Sequence, residues 1–252
     1  MSAEASCGPN GHPRILGVLG GMGAAATALF YQELVAHTDA ACDQQHIDTL
    51  ILSHASLPDR TQAIVTGHEA PLEEALVKDA LSLEAQGADL IAMPCNTAHR
   101  YLAALRRALA IPVVNMVEES VARAMGLATK APLAAKAPRA AVGILCTDGT
   151  RSSGVYDLAC AALGTQARYP SPQAQAGLME LVYNHVKSGT PGGDGLFNTA
   201  YRELKEAGCG TVVLGCTELS VYRAHHRVPD DCVDSTDCLV RAVIKYFRKI
   251  YI

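Results

Sequence analysis

The sequence predicts an α/β fold made of two similar α/β domains with parallel sheets, related by a pseudo-twofold. Three observations carry this expectation. Short apolar runs alternate with longer helical stretches, the pattern of parallel strands covered by helices on both faces. The pattern restarts after an Ala/Pro/Lys-rich connection over 130–139. Short motifs also recur. Gly17-Val18-Leu19 returns 126 residues later as Gly143-Ile144-Leu145, and the stretch around Cys95 returns 121 residues later around Cys216. Nearly equal offsets point to an ancient duplication, with one cysteine turn at a strand end in each half.

Taken in order, residues 14–19 read as a short buried strand. The turn Gly20-Gly21-Met22-Gly23 follows, then a helix over about 24–37. A second strand is expected at 49–53 and a helix at 72–86, closed by Gly87 as a C-cap. A third strand over 88–93 ends in Pro94-Cys95-Asn96-Thr97. A helix runs on through residue 110, and a fourth strand is expected at 112–116. In the second half, a strand at 141–145 ends in Cys146-Thr147-Asp148-Gly149-Thr150, and a helix begins near Ser153. A helix over 196–207, closed by Gly208, precedes a strand at 211–214 that ends in Gly215-Cys216-Thr217-Glu218. Residues 1–13 are expected to be a flexible extension. Residues 14–116 plus 228–252 would form the first domain and 117–227 the second, the C-terminal helix over 239–251 packing on the first.

Composition excludes several classes. A net charge of −4 with scattered basic residues gives no footprint for nucleic acid or anionic membrane. No apolar run is long enough to cross a bilayer. The first 13 residues lack the charged start and apolar centre of a secretory signal. Nine cysteines, an odd number without C-x-x-C spacing, argue against a disulfide framework and for a reducing cytosol. With no Trp and only three Phe, the core must be aliphatic.

Most of those cysteines are expected to be small buried hydrophobes. Cys95 and Cys216 differ because each sits where a strand gives way to a helix, in matched places of the repeat. Ligands of open α/β sheets bind beyond the carboxyl ends of strands, and a following helix favours a thiolate there. Such a pair can form a disulfide, hold a metal or move protons on opposite faces of one carbon. No third and fourth ligand with zinc spacing accompany it, although His99 is four residues beyond Cys95 and His54 is a further candidate to approach in the fold. Proton transfer from both sides suits the symmetry.

The motifs Leu19-Gly20-Gly21-Met22-Gly23, Pro58-Asp59-Arg60-Thr61, Met93-Pro94-Cys95-Asn96-Thr97-Ala98-His99 and Gly215-Cys216-Thr217-Glu218 together resemble those of aspartate racemases, in the aspartate/glutamate racemase superfamily. The likeness covers nearly the whole chain after residue 13. It implies a site in the interdomain cleft, no cofactor or metal, an amino acid substrate, a homodimer and a cytoplasmic enzyme. It implies Cys95 and Cys216 as opposed catalytic bases, Cys95 acting on the D-form. Arg60 and Lys187 would grip a carboxylate through charge-assisted hydrogen bonds. Asn96, Thr97, Thr217 and Thr150 would hold the α-carboxylate and ammonium, where charge builds as the proton leaves. Gly21 and Met22 would bring backbone to the ligand, and Asp59 and Glu218 would orient the groups that touch it. Glu218 and the Met22-Gly23 pair resemble the aspartate branch rather than the glutamate one. His54-Ala55-Ser56 departs from that branch and leaves room for broader specificity. A related isomerase or decarboxylase of the superfamily, or a silent homologue that binds an acidic amino acid, are the alternatives.

Overall fold

Strand β1 (Ile15–Gly20) runs through the middle of a three-stranded parallel sheet. Its Leu16, Val18 and Leu19 are wholly buried. The structure is a computed structural model that describes residues 14–128 and 141–252. The expected extension over 1–13 and the connection over 130–139 lie outside the described residues. β2 (Asp48–Ser53) and β3 (Leu90–Ala92) flank β1 in the order β2-β1-β3, with Gly17 opposite Leu50 and Ile91. The second sheet holds β4 (Val142–Leu145), β5 (Ala167–Arg168), β6 (Thr211–Leu214) and β7 (Cys232–Asp234), all parallel, in the order β5-β4-β6-β7.

The repeated glycine has a packing reason. A Cβ on Gly17 would come within 2.7 Å of Ile91 and 3.3 Å of Leu83, and one on Gly143 within 3.0 Å of Leu204. In both halves a leucine from a helix rests directly on the first strand. The helices concerned are α3 (Ala70–Ala85) and α9 (Asp194–Glu206). The others are α1 (Ala24–His37), α2 (Arg60–Thr66), α4 (Leu102–Ala108), α5 (Met116–Ala128), α6 (Asp148–Ser153), α7 (Val155–Ala162), α8 (Pro172–Glu180), α10 (Thr217–Arg223) and α11 (Ser235–Tyr246). One apolar core joins Leu16, Val18 and Phe30 of the first half to Ile144, Val213 and Val233 of the second through α5 and α11. Two further cores lie outside the sheets, under α3 and α4 in the first half and under α8 and α9 in the second. Fully burying one such aliphatic side chain is worth about 1.5–3 kcal/mol.

Two expectations need correction, and one segment is shared between the halves. The strand read at 112–116 is a single bridge from Val113 to Ile91, because the Asn115 side chain caps the backbone N–H groups of Val117 and Glu118 and starts α5. The helix expected from Thr97 begins as a 3-10 turn, Thr97–Tyr101, before α4. The segment 228–252, assigned to the first half, divides. Its strand β7 pairs with β6, Val233 lying opposite Val213 in the second sheet. α11 packs between α5 of the second half and α1 of the first and ends at Tyr246, and the tail also meets the first half, through the bridge from Tyr251 to Thr38. Among the described residues no helix is long and apolar enough to cross a membrane.

Candidate active site

The carboxyl ends of β1, β3, β4 and β6 converge, and the turns that leave them line one narrow cleft. Its empty volume, mouth included, is about 270 Å³. Met22, Arg60, Cys95, Asn96, Thr97, Lys187, Cys216 and Thr217 all line it, and so do Asp59 and Glu218, which were read as orienting the groups that touch the ligand. Thr61, Thr147 and Tyr183 line it too and were not singled out from the sequence. Thr147 carried a signal, since a threonine before Asp-Gly-Thr suits an N-cap, and its hydroxyl accepts from Thr150 N at 3.3 Å. Tyr183 stands four residues before Lys187, a spacing that shares a helical face. Tyr183 lies in the π-helical turn Leu181–His185, a form frequent at functional sites, and Lys187 in the 3-10 turn after it.

Cys95 and Cys216 are both buried, and both face this cleft. Of the eight described cysteines, seven are buried, Cys42 alone is exposed, and all are free thiols. The helix-end effect expected to favour thiolates is outweighed. Burial pushes the Cys95 thiol up, against the opposing pull of Arg60 and the Ala98 N–H. Burial also pushes Cys216 well above the ordinary range, and the Glu218 carboxylate pushes it further. The Cys216 thiol donates to Glu218 Oε2 at 2.9 Å.

Lys187 is the cation that both cleft carboxylates share. Lys187 Nζ lies 3.5 Å from Asp59 and 4.0 Å from Glu218, and 4.2 Å from the centre of the Tyr183 ring. Burial opposes its charge, but Glu218, Tyr183, Cys216 and Asp59 outweigh burial and raise its pKa. Asp59 caps α2 by accepting from Gln62 N and also receives the Tyr183 hydroxyl at 3.2 Å. Burial would raise its pKa, yet that backbone N–H, Lys187 and Arg60 hold it low. Arg60 is buried and donates to Met22 O at 3.0 Å and Pro58 O at 3.1 Å, which fixes its fork at the cleft wall.

Two expected contacts lie off the cleft. The Gly21 N–H is taken by Thr27 Oγ1 at 2.9 Å. Its φ of +89° and the His54 backbone, 2.4 Å from where a Cβ would stand, require glycine there for the turn. Thr150 is wholly buried behind Thr97 and Thr147, and the three hydroxyls bond one another at 2.7–3.2 Å. Asn96 touches the cleft, but its carboxamide is engaged by Tyr156 and Ser235. His99, given no chemical part from the sequence, is buried under the Cys95 turn. Its Nδ1 donates to Cys95 O at 2.8 Å and its Nε2 accepts from Met116 N at 3.1 Å. Among the described residues no three His, Cys, Asp or Glu side chains gather as metal ligands would.

A cleft between duplicated parallel-sheet halves, lined by a thiol from each, defines a class that the comparisons name. The family model for Asp/Glu/hydantoin racemases matches residues 19–243. The broad specificity amino-acid racemase RacX of Bacillus subtilis is 25% identical over 239 residues, 92% of this chain and 98% of that protein. The structure of Picrophilus torridus aspartate racemase superposes with a TM-score of 0.73 at 27% identity, covering 95% of this chain and 96% of that one. Glutamate racemase from Francisella tularensis shares the fold, with a TM-score of 0.66 at 16% identity over 93% of this chain and 81% of that one. The chain belongs to the Asp/Glu/hydantoin racemase family. It is an isomerase, with the fold of an amino acid racemase of the aspartate racemase type.

Proposed function

We propose that the protein racemises acidic amino acids, aspartate foremost, by proton transfer between Cys95 and Cys216 across Cα. The observation that carries this is the pair of buried thiols, one from each half, lining a single narrow cleft. A thiolate at Cys95 takes the Cα proton and becomes a thiol. The electron pair left on Cα delocalises into the α-carboxylate. The Cys216 thiol then gives its proton to the opposite face and becomes the thiolate, so one proton has left, one has arrived and the centre is inverted. The other enantiomer runs the sequence in reverse.

The hydroxyls of Thr97, Thr147 and Thr217 at the cleft wall supply donors for the charge that builds on the carboxylate. Arg60 and Lys187 provide cations for the side-chain carboxylate. Asp59 and Glu218 stand beside them, so two cations meet two anions in the cleft. That balance favours a second reading, in which a neutral or basic side chain is also accepted. The likeness to a broad specificity racemase points the same way.

Chiral chromatography over a panel of acidic, neutral and basic amino acids separates the two. The proposal expects kcat/KM for aspartate to exceed that for alanine by at least about tenfold, the worth of one charge-assisted hydrogen bond. Equal turnover of alanine or lysine overturns the acidic reading. An absence of inversion with every amino acid overturns both.

A further inference from the structure

We infer that Tyr156 and Ser235 are positioning residues that set the spacing between the two cysteine turns, gripping the Asn96 carboxamide from both ends. This rests on the two-thiol reading above. Asn96 follows Cys95 directly. The Tyr156 hydroxyl donates to its Oδ1 at 2.7 Å, and its Nδ2 donates to Ser235 Oγ at 2.9 Å. Ser235 Oγ in turn donates to Leu214 O at 2.7 Å, two residues before Cys216. The chain of donors has one direction. A carbonyl can only accept, so the Ser235 proton must point at Leu214, and its lone pair must face the Asn96 NH₂ group. The carboxamide oxygen is thereby turned towards Tyr156.

Tyr156 makes a second, independent contact. Its ring lies against Gly215, the residue just before Cys216, where a Cβ would come within 2.9 Å of the ring edge. One side chain from α7 therefore touches the residue after one cysteine and the residue before the other. Ser235, at the start of α11, joins the same two turns by hydrogen bonds. Both residues are wholly buried. Burial pushes the Tyr156 phenol well above its ordinary range, which keeps it a donor. A buried polar chain with every member satisfied holds its partners rigidly, and losing one member strands the next.

Two-base inversion is unusually sensitive to such a shift. If one thiol moves relative to the other, the first still removes the proton but the second no longer delivers one. The proton then returns from the side it left. The test compares Tyr156→Phe and Ser235→Ala with the parent in deuterated water, starting from one enantiomer. Tyr169→Phe serves as a control, since that phenol binds Asp157 at 2.7 Å and lies outside the cleft lining.

The readouts are kcat, KM and the ratio of α-deuterium in recovered substrate to that in inverted product. Both variants are expected to lose up to about 10²-fold in kcat, the scale of an ångström misplacement. KM should stay nearly unchanged, and the deuterium ratio should rise. The control should match the parent. The ratio does not depend on the fraction of molecules folded, so partial unfolding leaves the test intact. A ratio equal to the parent's in both variants overturns the inference. A parent enzyme that inverts the substrate without placing solvent deuterium at Cα overturns the two-thiol reading instead.

Discussion

The turns that carry Cys95 and Cys216 occupy matched places at the ends of β3 and β6, yet they are charged differently. Cys95 has Arg60 and the Ala98 N–H drawing its thiol towards ionisation. Cys216 has a carboxylate 2.9 Å from its sulfur, which holds the proton on. Four residues on, the contrast repeats. His99 braces the first turn as a neutral imidazole, while Ser220 braces the second by donating to the buried Asp234 at 2.6 Å. The backbone placement of the two thiols matches, but their surroundings differ: burial raises the pKa of both, Arg60 opposes that rise most at Cys95, and Glu218 adds to it at Cys216. In the two-thiol proposal one sulfur accepts while the other gives, and this asymmetry distinguishes them.

The largest effect expected from breaking the comparison comes from the thiols themselves. Cys95→Ala and Cys216→Ala should each lower racemisation by about 10²–10⁴-fold, the usual contribution of one acid–base group. Either variant interconverting aspartate enantiomers at the parental rate would remove its sulfur from the mechanism.

Glu218→Gln comes next. A hydrogen bond to a charged group is worth about 1.5–3 kcal/mol, roughly ten- to a hundredfold in rate. Loss of the negative neighbour should also let Cys216 ionise at lower pH, seen as faster alkylation near neutrality. Cys95, which Glu218 affects less, should shift in the same direction but by a smaller amount.

The last effect is on stability and leaves the rate aside. Burial lowers the His99 pKa from 6.5 to about 4. The unfolded chain therefore binds the extra proton first, so the stability that neutral His99 provides is complete above pH ~6.5 and is lost as pH falls towards 4. That loss amounts to about 3 kcal/mol at 1.36 kcal/mol per unit. Urea unfolding over this range should show it in the parent and not in His99→Gln. Asp234 has the opposite sign. Burial raises its pKa, so its contribution is present at low pH and fades as pH rises through that raised value. Asp234→Asn should flatten that limb alone.

Much of this was legible in the sequence where the signal is local. β1, β4 and β6 are apolar runs that stop at Gly or Cys turns, and α3 is closed by Gly87 with its positive φ. The two cysteine turns were found because residue order and repeat offset both lie within the chain itself. β5 and β7, with two and three residues, are too short to show a period. The run over 112–116 looked like a strand because Val113 and Val114 are β-branched, and one capping asparagine decided otherwise. The fate of Asn96 was beyond reach because its partners lie 60 and 139 residues away. The same holds for Lys187, whose anion Asp59 is 128 residues distant across the cleft.

Burial of seven of the eight described thiols decides how the chain meets electrophiles in solution. Among the described cysteines, a limiting dose of an alkylating reagent reaches Cys42 on the protein surface first. The opening phase of labelling should therefore consume reagent while turnover continues undiminished, and inactivation should follow only when the cleft admits the reagent. A background with Cys7 and Cys42 both changed to Ser removes from that silent phase every cysteine outside the buried set, and protection by substrate can then be read directly from the labelling curve.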